Sequence, residues 1–218
     1  MIEYVKICGL KQAYHVKLCS DNGADAIGFV YNVSSSPRNL EKIGLKTLLG
    51  VVPSNILSVI VLKPSTVKEL EKIMDEFNAS LFQIHPKFDI SDLKTLSEEK
   101  RKKIIIALKV YEENENYIIG MINKYKNQFF AFLIDNSEGE GNEIKVSLVQ
   151  DIIKNVSGAK VIIAGGINED NVEDIVNTIK PFGIDASSSL ESEKGIKSPL
   201  KIKKFLKIIE NMKKREMR

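Results

Sequence analysis

The sequence predicts an α/β protein, a (β/α)8 TIM barrel of eight parallel strands with surrounding helices. Three observations point to it. Eight short apolar runs recur along the 218 residues, each followed by a helical pattern. Most runs are near-continuous Val, Ile, Leu and Phe rather than alternating, as strands read when buried on both faces. Their starts lie roughly 22–31 residues apart, room for one helix and two short loops.

The expected strands are Tyr4–Ile7, Ala26–Val30, Leu57–Leu62, Leu81–Ile84, Ile104–Leu108, Phe130–Ile134, Lys160–Ile163 and Gly183–Ala186. After the first, Ala13, Val16 and Cys19 share one helical face, and Gly23 stands where a left-handed residue ends a helix. After the third, Val67, Leu70, Ile73, Met74 and Phe77 follow a capping box of Thr66 and Glu69. After the seventh, Val172, Ile175, Val176 and Ile179 follow Asn168 as the expected cap. The last helix opens at Ser198-Pro199, where proline's missing N–H costs nothing. Its Ile202, Phe205, Leu206, Ile208 and Ile209 form an inner face, and its lysines and arginines a solvated one. A helix lying on a membrane surface is the competing reading of that segment.

Composition narrows the class. Apolar residues are 43% and charged residues 28% of the chain, and the net charge is +3, too small and too spread to indicate nucleic acid. Two cysteines make neither a disulfide framework nor a metal cluster, so a cytoplasmic setting is expected. The first residues lack the apolar run of a signal peptide, and no stretch is long enough to span a membrane. No linker divides the chain, so residues 1–218 are expected to form one barrel domain. Oligomeric state is not legible.

Barrels of this kind carry chemistry at the C-terminal ends of their strands. There the sequence offers Cys8, Tyr31 and the loop Ser34–Arg38, His85-Pro86, Asp135, Gly165-Gly166, and Ser187, Ser188 and Ser189. Cys8 reads either as a small buried hydrophobe or as a thiolate base; burial raises a thiol's pKa while a positive rim lowers it, and sequence does not decide which wins. Asp135 ends the most apolar strand. A carboxyl half-withdrawn from water holds its proton more tightly, which suits a general acid; the alternative is a loop cap. Arg38 can hold a carboxylate bidentately or be a solvated charge. Gly165-Gly166 before a helix, with the serine cluster after the next strand, forms an expected phosphate cradle. Cys19 reads as structural.

These residues sit in segments that resemble the phosphoribosylanthranilate isomerase family. The segments are Lys6-Ile7-Cys8-Gly9-Leu10, Gly23–Val30, Ser36-Pro37-Arg38, Phe82-Gln83-Ile84-His85, Leu133-Ile134-Asp135, Ala164–Asn168, Asp185–Ser188 and Gly195-Ile196-Lys197. They are collinear across nearly the whole chain. The resemblance implies an Amadori rearrangement in tryptophan biosynthesis, an aldose–ketose isomerisation of N-(5'-phosphoribosyl)anthranilate. It implies Asp135 as acid, Cys8 as base, Arg38 on the anthranilate group, phosphate at Gly165, Gly166, Ser187 and Ser188, and no metal or organic cofactor.

The sequence departs from the family pattern in places. The loop after Asp135 reads Glu138-Gly139-Glu140-Gly141-Asn142, with Glu140 in place of a hydroxyl residue, and then Ile144-Lys145-Val146. Lys11 and Pro86 replace a common threonine and glycine, Ser189 a usual glycine, and Ser198 a frequent aspartate. Two other readings compete: a neighbouring phosphosugar barrel enzyme, or a degenerate barrel that binds a phosphorylated ligand without turnover. Aspartates as both acid and base, or a second strand-end lysine besides Lys109, would have favoured the neighbouring enzymes.

Overall fold

The computed structural model describes residues 2–135 and 145–216, with the side chain of residue 216 left aside. Eight parallel strands close into a ring: β1 (Tyr4–Cys8), β2 (Ala26–Tyr31), β3 (Leu57–Leu62), β4 (Leu81–Ile84), β5 (Ile104–Leu108), β6 (Ala131–Asp135), β7 (Val161–Ala164) and β8 (Gly183–Ala186). β1 pairs with both β2 and β8, so the first and last strands complete the closure. The segment Asn39–Leu40 adds a short parallel pairing on β2.

Among the described residues, eight α-helices surround the ring: α1 (Ala13–Asp21), α2 (Lys42–Leu49), α3 (Val67–Glu76), α4 (Glu98–Arg101), α5 (Glu115–Tyr125), α6 (Val146–Asn155), α7 (Val172–Ile179) and α8 (Pro199–Glu216). The expected strands fall within one residue of these bounds at each end. Local details differ. Ala13 is exposed, and His15, Val16, Leu18 and Cys19 form the buried face of α1. Thr66 caps α3 by accepting from the Glu69 N–H, but the Glu69 carboxylate turns to Ser65 N and Asn32 rather than closing the box. Asn171, not Asn168, is the N-cap of α7; Asn168 serves one turn earlier, its Oδ1 accepting from the N–H groups of Asp170 and Asn171. Ser198 Oγ does accept from Lys201 N at 3.4 Å, and Ile202, Phe205, Leu206 and Ile209 of α8 are buried against the barrel. That burial removes the apolar face a membrane-surface helix would need. Among the described residues, no helix is long and apolar enough to cross a membrane.

Register fixes what fills the barrel. Partners across parallel strands point the same way, so the pairs Lys6–Ala26, Cys8–Gly28, Val61–Gln83, Asp135–Ala164 and Lys6–Asp185 belong to the inward-facing set. The lower interior is apolar, with Ala26, Val59, Leu81, Ile105, Leu133 and Ile162 packed together. Below them Tyr4 stacks on Phe182, ring centroids 6.0 Å apart, and meets Phe130 at 6.1 Å; Lys160 sits 5.0 Å from both phenylalanine rings. The upper interior is different: Lys6, Cys8, Gln83, Asp135 and Asp185 all face inward there. Polar side chains thus gather at the C-terminal half of a barrel whose other half is greasy.

Candidate active site

A cavity of about 810 Å³ opens at the C-terminal ends of the strands, a volume suited to a small-molecule ligand. Its wall contains every site residue expected from the sequence: Cys8, Arg38, Asp135, Gly165, Gly166, Ser187 and Ser188. It also contains Gln83, Asp185 and Glu191, to which sequence reasoning gave no role.

Cys8 ends β1 and packs with Val30, Val33 and Val61. Its neighbour across the ladder is Gly28, and the choice of glycine there has a steric cause. A Cβ at residue 28 would lie 2.8 Å from the Cys8 sulfur and 2.9 Å from Lys6 Cε. The same distances place the thiol and the end of the Lys6 side chain beside one another. Lys6 is fully buried, two residues before Cys8 on the same face of β1, and its Nζ donates to Asp185 Oδ2 at 2.6 Å.

The competition left open for Cys8 is decided by burial. Desolvation pushes the thiol above its ordinary value, although the charges of Lys6 and Lys197 and the hydrogen bond from Lys6 oppose it. Burial likewise pushes the Lys6 ammonium down, but Asp185 and Cys8 outweigh it and hold the group above the ordinary lysine range. Burial pushes Asp185 up as well. An ammonium can only donate, so the carboxyl oxygen at 2.6 Å accepts from it as the anion's oxygen would. Asp185 also feels the charge of Asp135, which places it electrostatically between the two expected catalytic groups. Its other oxygen, Oδ1, and Gln83 Oε1 are buried acceptors without a partner among the described residues. Cys19, by contrast, is sealed in the α1 face, and burial pushes its thiol up to about 12.

Gly165 (φ +102°) and Gly166 (φ +64°) both lie in the left-handed half of the map, which explains the glycine pair after β7. The Gly166 carbonyl accepts from the side-chain amides of Asn168 and Asn171, fixing this turn to the start of α7. Among the described residues, the N–H groups of Gly166 and Ser188 have no protein acceptor. Such donors beside a helix N-terminus suit an anion. Ser187 Oγ donates to the Cys8 carbonyl at 3.2 Å, and Ser189 Oγ donates to the Ile167 carbonyl, so the β7 and β8 loops are tied together. Ser189 does not have positive φ, which is why serine is accommodated where glycine is usual. Lys11 has a use too: its ammonium donates to the Pro37 carbonyl at 3.1 Å.

Arg38 is where the structure most changes the sequence reading. It is neither solvated nor unoccupied. Its Nε donates to Glu191 Oε1 at 2.6 Å and its Nη2 to Oε2 at 2.9 Å. Glu191 in turn accepts from Lys197 Nζ at 2.9 Å and Gly195 N at 2.8 Å. Burial pushes the Glu191 carboxyl up, but Arg38, Gly195 and Lys197 outweigh it and hold it below the ordinary value. The sequence signal was slight: a glutamate opening the stretch Glu191-Ser192-Glu193-Lys194-Gly195 reads as surface loop. The altered loop containing Glu138, Glu140 and Ile144 lies outside the described residues.

Comparisons with known proteins agree with this geometry. Residues 5–208 match the family model described as N-(5'-phosphoribosyl)anthranilate (PRA) isomerase. An N-(5'-phosphoribosyl)anthranilate isomerase of Sulfurihydrogenibium sp. is 32% identical over 95% of this chain and 98% of its own. One of Listeria innocua is 33% identical over 93% and 96%. Among solved structures, phosphoribosyl anthranilate isomerase of Thermotoga maritima has a TM-score of 0.82 at 24% identity, covering 97% of this chain and all of that one. A phosphoribosyl anthranilate isomerase bound to reduced 1-(o-carboxyphenylamino)-1-deoxyribulose 5-phosphate has a TM-score of 0.79 at 24% identity, with the same coverage. With an eight-stranded barrel, a polar upper interior and Cys8, Arg38, Asp135, Gly165, Gly166, Ser187 and Ser188 on one cavity wall, the chain belongs to the N-(5'-phosphoribosyl)anthranilate isomerase family.

Proposed function

We propose that this chain converts N-(5'-phosphoribosyl)anthranilate to 1-(2-carboxyphenylamino)-1-deoxyribulose 5-phosphate, an aldose–ketose isomerisation by Amadori rearrangement in tryptophan biosynthesis. The observation that carries the reading is the pairing of Cys8 and Asp135 on one cavity wall, each ending an inward-facing strand position, in a chain of this family. Asp135 delivers a proton to the furanose ring oxygen. The C1–O bond breaks as the nitrogen lone pair forms the C=N bond of a Schiff base. Cys8 then takes the proton from C2, and the electrons return to nitrogen as an enolamine. Transfer of a proton from the C2 hydroxyl to C1 completes the ketose, with no net loss or gain of atoms. No metal or organic cofactor enters this scheme.

The remaining wall supplies binding. Backbone donors at Gly166 and Ser188, with Gly165 and Ser187 shaping their loops, take the phosphate. Arg38 takes the anthranilate carboxylate. Asp185 Oδ1 and Gln83 Oε1, buried acceptors on the wall, receive sugar hydroxyls. We also read residues 1–218 as one barrel domain, and the free cysteines Cys8 and Cys19 fit a cytoplasmic protein.

The test is turnover, followed by the change in substrate fluorescence. Cys8→Ala and Asp135→Asn should each cost about 100- to 10,000-fold, mainly in kcat. A Cys8→Ala protein that keeps more than about a tenth of the wild-type kcat, well outside that range, removes Cys8 from the chemistry. A folded wild-type protein that binds substrate without converting it makes the barrel a binding protein.

A further inference from the structure

We propose that Glu191 is a positioning residue of the carboxylate subsite: it clamps one edge of the Arg38 guanidinium and so presents the remaining N–H groups, fixed in plane, to the substrate's aromatic carboxylate. The inference rests on the reading of Arg38 given above and adds a residue to it.

An arginine side chain has five N–H donors in a rigid plane. Glu191 takes one from Nε and one from Nη2, in fork geometry. Three donors remain, enough for a second carboxylate on the adjacent edge. Arg38 and Glu191 both stand on the cavity wall. Glu191 is itself held firmly. It begins a short antiparallel pairing of Glu191–Glu193 with Ile196–Lys197. Its carboxylate accepts from Gly195 N and Lys197 Nζ, and its carbonyl accepts from Lys201 Nζ at 2.9 Å. Gly195 (φ +83°) lets this hairpin press on the Arg38 loop, since a Cβ there would sit 2.8 Å from the Pro37 carbonyl oxygen. A long side chain that would otherwise sample many rotamers is therefore fixed from two sides.

Charge favours the same assignment. Arg38 and Lys197 bring two positive charges and Glu191 one negative, so the buried group carries +1. A substrate carboxylate neutralises it. Without Glu191 the group would carry +2, unfavourable in the free protein and loosely aimed in the complex.

The experiment compares two inhibitors: reduced 1-(o-carboxyphenylamino)-1-deoxyribulose 5-phosphate and the same compound lacking the carboxyl group. The ratio of their inhibition constants reads the carboxylate subsite alone. Glu191→Gln, and Glu191→Gln with Lys197→Met to keep the net charge at +1, should each lower that preference about ten-fold or more, with affinity for the carboxyl-free compound changed less than about two-fold. Added to Arg38→Lys, the Glu191 change should do nothing more to the preference. An unchanged preference in the charge-conserving double variant overturns the proposal. So does a rise in Glu191→Gln, which would make Glu191 a competitor for Arg38. Should the variants fail to fold, a crystal structure of the wild-type protein with the carboxylated compound decides. The Arg38–Glu191 fork kept, with the ligand carboxylate on the remaining donors, supports the proposal; Glu191 displaced, or the carboxylate elsewhere, overturns it. An Arg38→Lys protein with unaltered preference refutes the role of Arg38 itself, a separate failure.

Discussion

Lys6 and Asp185 form an ion pair at 2.6 Å inside the barrel, on adjacent strands, with the lysine wholly shielded from water. Breaking one side of such a pair leaves a buried charge without its partner. Lys6→Met is expected to cost about 3–5 kcal/mol of unfolding free energy. Lys6→Met with Asp185→Asn should recover most of that, because neither charge remains. Urea unfolding of the wild type, Lys6→Met, Asp185→Asn and the double variant checks the cycle; additive losses would mean that the pair is not coupled.

The raised Cys8 thiol gives a chemical signature. Alkylation by iodoacetamide, followed at the Cys8 peptide by mass spectrometry, should rise with pH about a midpoint above the ordinary thiol value, because burial disfavours the thiolate. The neighbouring ammonium opposes that effect. Removing it in the Lys6→Met, Asp185→Asn protein should move the midpoint further upward or leave it in place only if Asp185's loss cancels it, so Lys6→Met alone is the sharper variant where it folds. A midpoint below the wild-type value in Lys6→Met would contradict the arrangement.

Gly28 separates packing from chemistry at the same spot. Its missing Cβ is the space used by the Cys8 sulfur and the Lys6 chain. Gly28→Ala should destabilise by about 1–3 kcal/mol through overpacking. It should also lower kcat, because the thiol must move, while the phosphate contacts across the rim stay and KM changes little. Thermal unfolding and steady-state kinetics measure the two effects separately.

The two glycines after β7 should respond in the opposite way. Alanine at Gly165, with φ +102°, forces a conformation that L residues rarely adopt. The turn shifts, and with it the Gly166 N–H. Gly165→Ala is expected to raise KM and the inhibition constant of inorganic phosphate together, by about ten-fold, with a smaller effect on kcat. A change confined to kcat would move the phosphate away from this loop.

The strands and the rim residues were legible because their signals are local. A run such as Ile104–Leu108 declares burial on both faces, and Gly165-Gly166 declares unusual backbone. The polar partners were not, because each is made by register rather than by neighbourhood. Lys6 and Asp185 lie 179 positions apart, and Arg38 and Glu191 lie 153 apart. A lysine inside an apolar strand does announce that it needs a counter-charge. Asp185, a carboxylate within another such strand, was the available answer. Glu191 gave no such notice, since its burial depends on the hairpin that Gly195 allows. The Asn168 and Asn171 exchange is a smaller case: either amide could cap, and only the turn geometry chooses.

Among the described residues, the cavity opens at the rim, and below it the barrel is filled by the apolar layer and the aromatic floor of Tyr4, Phe130 and Phe182. Whatever enters must leave by the way it came. Substrate and product therefore queue for one passage, and a molecule of product still inside bars the next substrate outright. Product is therefore expected to act as a competitive inhibitor, and its release to set a ceiling on throughput however fast the proton transfers become.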